Sequence, residues 1–151
     1  MSDPLLWVYT EGVFDLFHAG HVEFLRQARQ LGDRLVVGLV SDADTASYKP
    51  PPILTFAERQ AVVRACRHVD RVLNEASPLI TTCAFLDEIG AMFCCHGDDF
   101  NAANLAKFYG DLIPAGRLKT VKYSADISSR DIVRRIAARL KGDGVRVAQV
   151  R

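Results

Sequence analysis

The sequence predicts an α/β fold, a Rossmann-like doubly wound sheet of about five parallel strands with helices on both faces. Three observations lead there. Short apolar or β-branched runs alternate along the chain with amphipathic stretches, the pattern of strand–helix–strand units. Their spacing implies parallel neighbours with right-handed crossovers, because parallel strands cannot be joined by tight hairpins. A turn bearing two glycines and two histidines, "GVFDLFHAGH" at 12–21, lies between the first apolar run and the first helical pattern.

In chain order, "LLWVYT" (5–10) reads as the first strand. Residues 21–31 place Phe24, Leu25, Ala28 and Leu31 on one helical face, and Gly32 is the expected C-cap. The second strand is "RLVVGLVS" (34–41), followed by one long loop stiffened by the prolines of "YKPPPI" (48–53). Thr55 and Glu58 form a capping-box signature for a helix over 55–68. "DRVLN" (70–74) is a third strand, 81–89 a helix stopped by Gly90, and "MFCCH" (92–96) a fourth strand. A helix over 101–109, a strand "LKTVKY" (118–123) and a last helix over 128–141 follow. That last helix opens with Ser128 and Asp131 and is expected to bury Ile132, Val133, Ile136, Ala137 and Leu140. Residues 1–141 read as one domain and 142–151 as a tail or short strand.

Composition narrows the class. No apolar run approaches the ~20 residues that span a bilayer, and the first residues lack the basic region of a signal segment, so a soluble cytoplasmic protein without stable membrane insertion is expected. Cys66, Cys83, Cys94 and Cys95 form no CxxC pair and are expected as reduced core thiols. Adjacent strand residues point to opposite faces, which argues against a zinc site from Cys94, Cys95 and His96. Charge is segregated: residues 117–151 carry ten Lys or Arg against three Asp or Glu, and residues 1–116 carry nine against fifteen. The basic end is suited to phosphates or to a solvated helix face, and nucleic acid is not an expected partner.

In open α/β sheets ligands bind beyond the carboxyl ends of the strands where their order reverses, which puts 10–21, 41–54, 97–100 and 124–130 on one rim. There the first turn has a direct physical reading. Glycine lets backbone approach a ligand, and a helix start offers free N–H groups to an anion. His18 and His21 add side-chain donors whose near-neutral pKa suits charge neutralisation, and Gly20 leaves room between them. A merely structural histidine pair is the bland alternative.

"GVFDLFHAGH" matches the HxGH signature of the nucleotidyltransferase superfamily. The wider stretch through "GLVSD" resembles the cytidylyltransferases that make CDP-alcohols, as do "KPPPILTFAERQAVVRACRHVDRVL" and "CCHGDD". The likeness runs over about residues 7 to 137 and is strongest toward the phosphoethanolamine-directed members. It implies that CTP and a phosphorylated alcohol give a CDP-alcohol and pyrophosphate, by in-line attack on the α-phosphate without a covalent enzyme intermediate.

The resemblance also implies roles. His18, His21 and Lys49 are the catalytic candidates, and Thr10, Gly12, Val13, Phe14, Gly20, Asp98, Ser128 and Ser129 the nucleotide-binding ones. Asp15 and Arg59 are acceptor-binding candidates, with backbone capping and a structural ion pair as their respective alternatives. The second family signature departs here: "YSADISSR" (123–130) puts Tyr123 where the family has arginine, and Lys122 or Arg130 is the expected substitute phosphate contact. Mg²⁺ is expected on the nucleotide phosphates, with no protein metal site, and a homodimer is expected by resemblance. Open alternatives are ATP in place of CTP, phosphocholine, glycerol 3-phosphate or an aminophosphonate as acceptor, and a catalytically weak nucleotide-binding module.

Overall fold

A computed structural model describes residues 4–123 and 126–142. Five parallel strands form one sheet: β1 (Trp7–Gly12), β2 (Arg34–Leu39), β3 (Arg71–Val72), β4 (Phe93–Gly97) and β5 (Leu118–Val121), in the order β3-β2-β1-β4-β5. The chain winds outward from β1 to β3, then crosses back to lay β4 on the other side of β1. The order therefore reverses between β1 and β4, where the hydroxyl of Thr10 donates to the Cys95 carbonyl at 2.8 Å.

Strand alternation builds two cores. One holds Val8, Leu35, Val37 and Cys95 with Phe24, Leu25 and Ala28 of α1 (Ala19–Arg29) and Val63 of α3 (Phe56–Arg64). The other holds Tyr9, Val36 and Cys94 with Leu86 of α4 (Cys83–Ile89) and Tyr109 of α5 (Ala102–Tyr109). Cys94 and Cys95 thus point to opposite faces, and all four cysteines are free. The Thr55–Glu58 capping box forms in both directions, and Gly90 ends α4 in the left-handed conformation at φ 75°.

Four local expectations change. α1 ends at Gln30, so Gly32 is no cap; a Cβ there would lie 2.8 Å from the Leu6 carbonyl oxygen and from Val8, and the missing side chain lets the helix exit pass close to the first strand. α3 stops at Arg64, four residues early, because Ala65 and Cys66 close it with bonds to the carbonyls of Val62 and Val63. The long loop begins with a short helix, α2 (Asp42–Ala46), capped by Ser41. Finally α6 (Ser129–Gly142) fully buries none of its residues: Val133 and Ile136 are 43% and 52% exposed and Ile132 and Leu140 half-buried, so the expected apolar stripe is only partly covered. The proposed tail lies, beyond Gly142, outside the described residues. Among the described residues no helix is long and apolar enough to cross a membrane.

A close approach on β2 supports the strand that carries the site. A Cβ on Gly38 would lie 2.5 Å from the Tyr9 hydroxyl, which in turn donates to Glu11 at 2.7 Å. Gly38→Ala should therefore destabilise the protein by about 1–3 kcal/mol, the usual cost of overpacking, read as a lower urea midpoint at unchanged m-value.

Candidate active site

The carboxyl ends of β1, β2, β4 and β5 bring the rim segments together. Thr10, buried, lies on the switch itself. Beyond Gly12 the chain turns through two left-handed residues, Phe14 (φ 53°) and Leu16 (φ 48°). Phe14 folds its ring back so that a Cβ on Gly12 would lie 3.0 Å from it. The turn ends at His18, whose extended backbone (φ −141°, ψ 177°) makes it the N-cap of α1.

The two histidines cap this helix reciprocally. The Gly20 N–H donates to Nδ1 of His18 at 3.1 Å, and the His18 N–H donates to Nδ1 of His21 at 3.2 Å. This is the geometry of a capping box, with imidazoles in place of hydroxyl and carboxylate. Each ring must keep Nδ1 unprotonated to accept, so each carries its hydrogen on Nε2. The rings stack at 3.8 Å between centroids and 22° between planes, with Phe17 and Phe14 against His21 at 5.4 and 5.5 Å. Burial pushes both pKa values down. For His21, desolvation, the His18 ring and Lys49 bring it to about 3; for His18 the cause is desolvation, opposed by Asp131. The near-neutral imidazoles expected from the sequence are thus neutral N–H donors. Gly20 also serves differently from expectation: a Cβ there would lie 3.0 Å from the His18 ring and 3.1 Å from the Ile127 carbonyl oxygen, so protein atoms occupy the space it leaves.

Lys49 lies within electrostatic range of His21. It is exposed as a residue, yet desolvation lowers its ammonium pKa, with Arg59 and Arg130 adding to the effect and Asp15 and Asp99 opposing it. Arg130, itself exposed, is thereby brought within electrostatic range of the same locus. Lys122 is exposed, and its carbonyl accepts from Gln27 at 3.1 Å. Ser128 and Asp131 cap α6 reciprocally, and the Ser129 hydroxyl donates to the Asp15 carbonyl at 2.6 Å, which fixes the start of α6 beside the histidine turn. Asp98 accepts from the Tyr123 N–H at 2.8 Å and ties the end of β4 to that of β5. Tyr123, in the family's arginine position, packs near Gly97; desolvation and the charges of Asp99 and Asp131 push its phenol pKa up and keep it an O–H donor.

The two acceptor candidates have backbone partners. Arg59 is fully buried; it donates to the Val13 carbonyl at 2.6 Å, the Val40 carbonyl at 2.9 Å and Asp42 at 2.6 Å, while its Nε lacks a partner. It braces the ends of β1 and β2 against each other. The carboxylate of Asp15 accepts the N–H groups of Ile53 and Leu54 at 2.8 and 2.9 Å.

One residue of interest escaped the sequence reading, and a second, His96, was weighed there only as a zinc ligand. Glu11 is buried at the end of β1, accepting from the hydroxyls of Tyr9 at 2.7 Å and Thr81 at 2.9 Å, and desolvation raises its pKa. Tyr109 and Tyr48 lie within its field, and Tyr48, Phe108, Phe100 and His96 form a chain of ring contacts from 6.5 Å down to 4.1 Å. The signal for Glu11 was a carboxylate interrupting an apolar strand one residue before the turn glycine. His96 bonds through Nδ1 to the Gly97 carbonyl at 2.8 Å, and its signal was its position at a strand end on the rim. Among the described residues no three His, Cys, Asp or Glu side chains could hold a metal ion together.

Burial of neutral imidazole has a pH signature. The unfolded chain protonates His21 near pH 6.5, and the native one only near 3, so stability is full above about 6.5 and is lost as pH falls toward the folded value. Urea unfolding between pH 7.5 and 4.5 should show that loss, and His21→Gln, which cannot titrate, should have a flatter profile.

A cytidylyltransferase-like family model matches residues 9–135 of this chain. The chain is 39% identical over 130 residues to an ethanolamine-phosphate cytidylyltransferase of Dictyostelium discoideum, covering 85% of this chain and 36% of that protein. It is 36% identical over 132 residues to choline-phosphate cytidylyltransferase A of Rattus norvegicus, again covering 85% and 36%. The chain thus spans about a third of the length of these curated relatives. Among solved structures, the lipopolysaccharide core biosynthesis protein from Thermoplasma volcanium superposes with a TM-score of 0.64 at 27% identity, over 80% of this chain and 98% of that one.

Proposed function

The chain belongs to the cytidylyltransferase-like family, and from that premise we propose that it transfers a cytidylyl group from CTP to a phosphorylated amino alcohol, phosphoethanolamine. The observation that carries the proposal is the reciprocal histidine cap, which makes both imidazoles Nε2–H donors on the rim beside the switch point, with Lys49 within electrostatic range of His21. A phosphate oxygen of the acceptor attacks the α-phosphorus of CTP in line, the bond to the bridging oxygen breaks, and pyrophosphate leaves. Such chemistry asks for positioning and charge stabilisation rather than a protein nucleophile. His18 and His21 donate to the phosphate oxygens that gain charge, Lys49 bridges donor and acceptor phosphates, and Ser128, Ser129 and the N–H groups opening α6 receive the triphosphate. Arg130, with Lys122, supplies the cation that the family draws from the position of Tyr123, and Asp98 with the Thr10 and Gly12–Phe14 edge borders the nucleoside.

Mg²⁺ belongs to this reading as an ion carried by phosphate oxygens and water. A homodimer likewise remains part of it, with sedimentation as the check.

The acceptor class rests on Glu11. A buried carboxylate bonded by the Tyr9 and Thr81 hydroxyls, beside aromatic faces, suits an ammonium, and a primary ammonium can add N–H bonds to it. The relatives' names point to ethanolamine and choline phosphates. Glu11→Gln should raise the KM for phosphoethanolamine roughly 10- to 100-fold, the worth of a hydrogen bond to a charged group, and leave the KM for CTP within about twofold.

Pyrophosphate release with CTP and Mg²⁺ over phosphoethanolamine, phosphocholine, glycerol 3-phosphate and 2-aminoethylphosphonate, with ATP in parallel, tests the whole reading. Release that depends on CTP and phosphoethanolamine is expected, with His18→Ala slower by about 10²–10³. Release with ATP alone would make the protein an adenylyltransferase, and CTP binding without release across the panel would make it a nucleotide-binding module.

A further inference from the structure

Asp15 is held in place from both sides. Its neighbours Phe14 and Leu16 are both left-handed, a conformation that costs non-glycine residues about 1–2 kcal/mol each and persists only where the surroundings enforce it. The enforced turn aims the carboxylate at the proline segment. Oδ2 accepts the Ile53 N–H at 2.8 Å and Oδ1 the Leu54 N–H at 2.9 Å, while the Asp15 carbonyl accepts the Ser129 hydroxyl at 2.6 Å. Three separate segments therefore meet on one residue.

The segment it grips is not an ordinary loop. Pro50, Pro51 and Pro52 stand between the gripped residues and Lys49, and each fixes its own φ near −65°. A run of this kind behaves as a semi-rigid spacer of about 3 Å per residue, so its far end moves with its near end. On the other side the Lys49 N–H donates to the Thr45 carbonyl of α2 at 3.1 Å, and α2 is tied to the buried Arg59 through Asp42. Lys49 is thus suspended between two fixed points, and one of them is Asp15.

We propose that Asp15 is a positioning residue, whose carboxylate pins Ile53 and Leu54 and, through the stiff Pro50–Pro52 arm, holds the Lys49 ammonium beside the His18–His21 pair. With both oxygens engaged by backbone, Asp15 acts on the reaction through Lys49 and not by touching the acceptor. The inference rests on the cytidylyl-transfer reading for what Lys49 does, and on geometry alone for what Asp15 holds.

A double-mutant cycle tests it with wild type, Asp15→Asn, Lys49→Ala and the double variant. Asparagine keeps the shape of the side chain but offers a single oxygen to two N–H groups. Asp15→Asn should lower kcat by about 10- to 100-fold with a smaller change in the KM for the acceptor, and on the Lys49→Ala background should cost less than about twofold. Amide exchange at Ile53 and Leu54 should speed up in Asp15→Asn while Gly20 keeps its protection. Ile53→Pro, which deletes one donor at an exposed position, should reproduce the effect in weaker form and serves if Asp15→Asn does not fold. Equal losses on the two backgrounds, unchanged exchange at 53 and 54, or a Lys49→Ala variant as active as wild type would overturn the proposal. If no protein in the set turns over, the cytidylyl-transfer reading fails separately, and the same cycle read in CTP affinity, together with the exchange data, still decides what Asp15 holds.

Discussion

Every chemical statement about this molecule depends on how the first turn of α1 is closed. Four N–H groups at a helix start need acceptors, and here two of those N–H groups find them in the imidazole Nδ1 atoms of His18 and His21. Using Nδ1 in this way settles the tautomer and puts the hydrogen of each neutral ring on Nε2. Stacking at 3.8 Å adds a second restraint, because two imidazolium rings so close would repel each other. In the proposed reaction, helix capping and phosphate recognition would be one arrangement, with the cap fixing the donors that meet the phosphates.

The rest of the rim keeps that arrangement in register. Thr10 ties β1 to β4 across the switch point, Arg59 braces the ends of β1 and β2 from beneath, and Asp15 and Ser129 bring the proline segment and α6 against the histidine turn. Local costs concentrate around this turn: Phe14 and Leu16 are left-handed, and Arg59, whose buried Nε lacks a partner, donates to the Val13 carbonyl beside them. For the proposed phosphoryl chemistry, rigid placement of weak donors is worth more than any single strong group, and the buried scaffolding beneath the rim is consistent with that demand.

Much of this was legible from the residues. Apolar runs marked all five strands, the Thr55–Glu58 and Ser128–Asp131 pairs marked two helix starts, and the glycine–histidine turn marked the site, because each feature is set by neighbours in sequence. What escaped was set by distant ones. α2 is five residues long and shows no period to detect. Gly32 looked like a cap, but the strand passing beside it explains it better. The stripe on α6 revealed amphipathicity and not what covers it. For Arg59 the structural ion pair weighed beside the acceptor role is present with Asp42, but only packing shows that its guanidinium also bonds the carbonyls of two strand ends. The near-neutral imidazoles assumed for His18 and His21 fail for the same reason, since desolvation belongs to the folded environment and not to the motif.

The most direct test of the central claim is ¹⁵N-resolved NMR of the imidazole side chains at pH 7, before and after addition of CTP and Mg²⁺ without acceptor. The account predicts the Nε2–H tautomer for both His18 and His21 throughout, with their Nε2 protons shifting downfield as the nucleotide binds. An imidazolium or an Nδ1–H tautomer at either ring, or Nε2 signals indifferent to bound CTP, would contradict it.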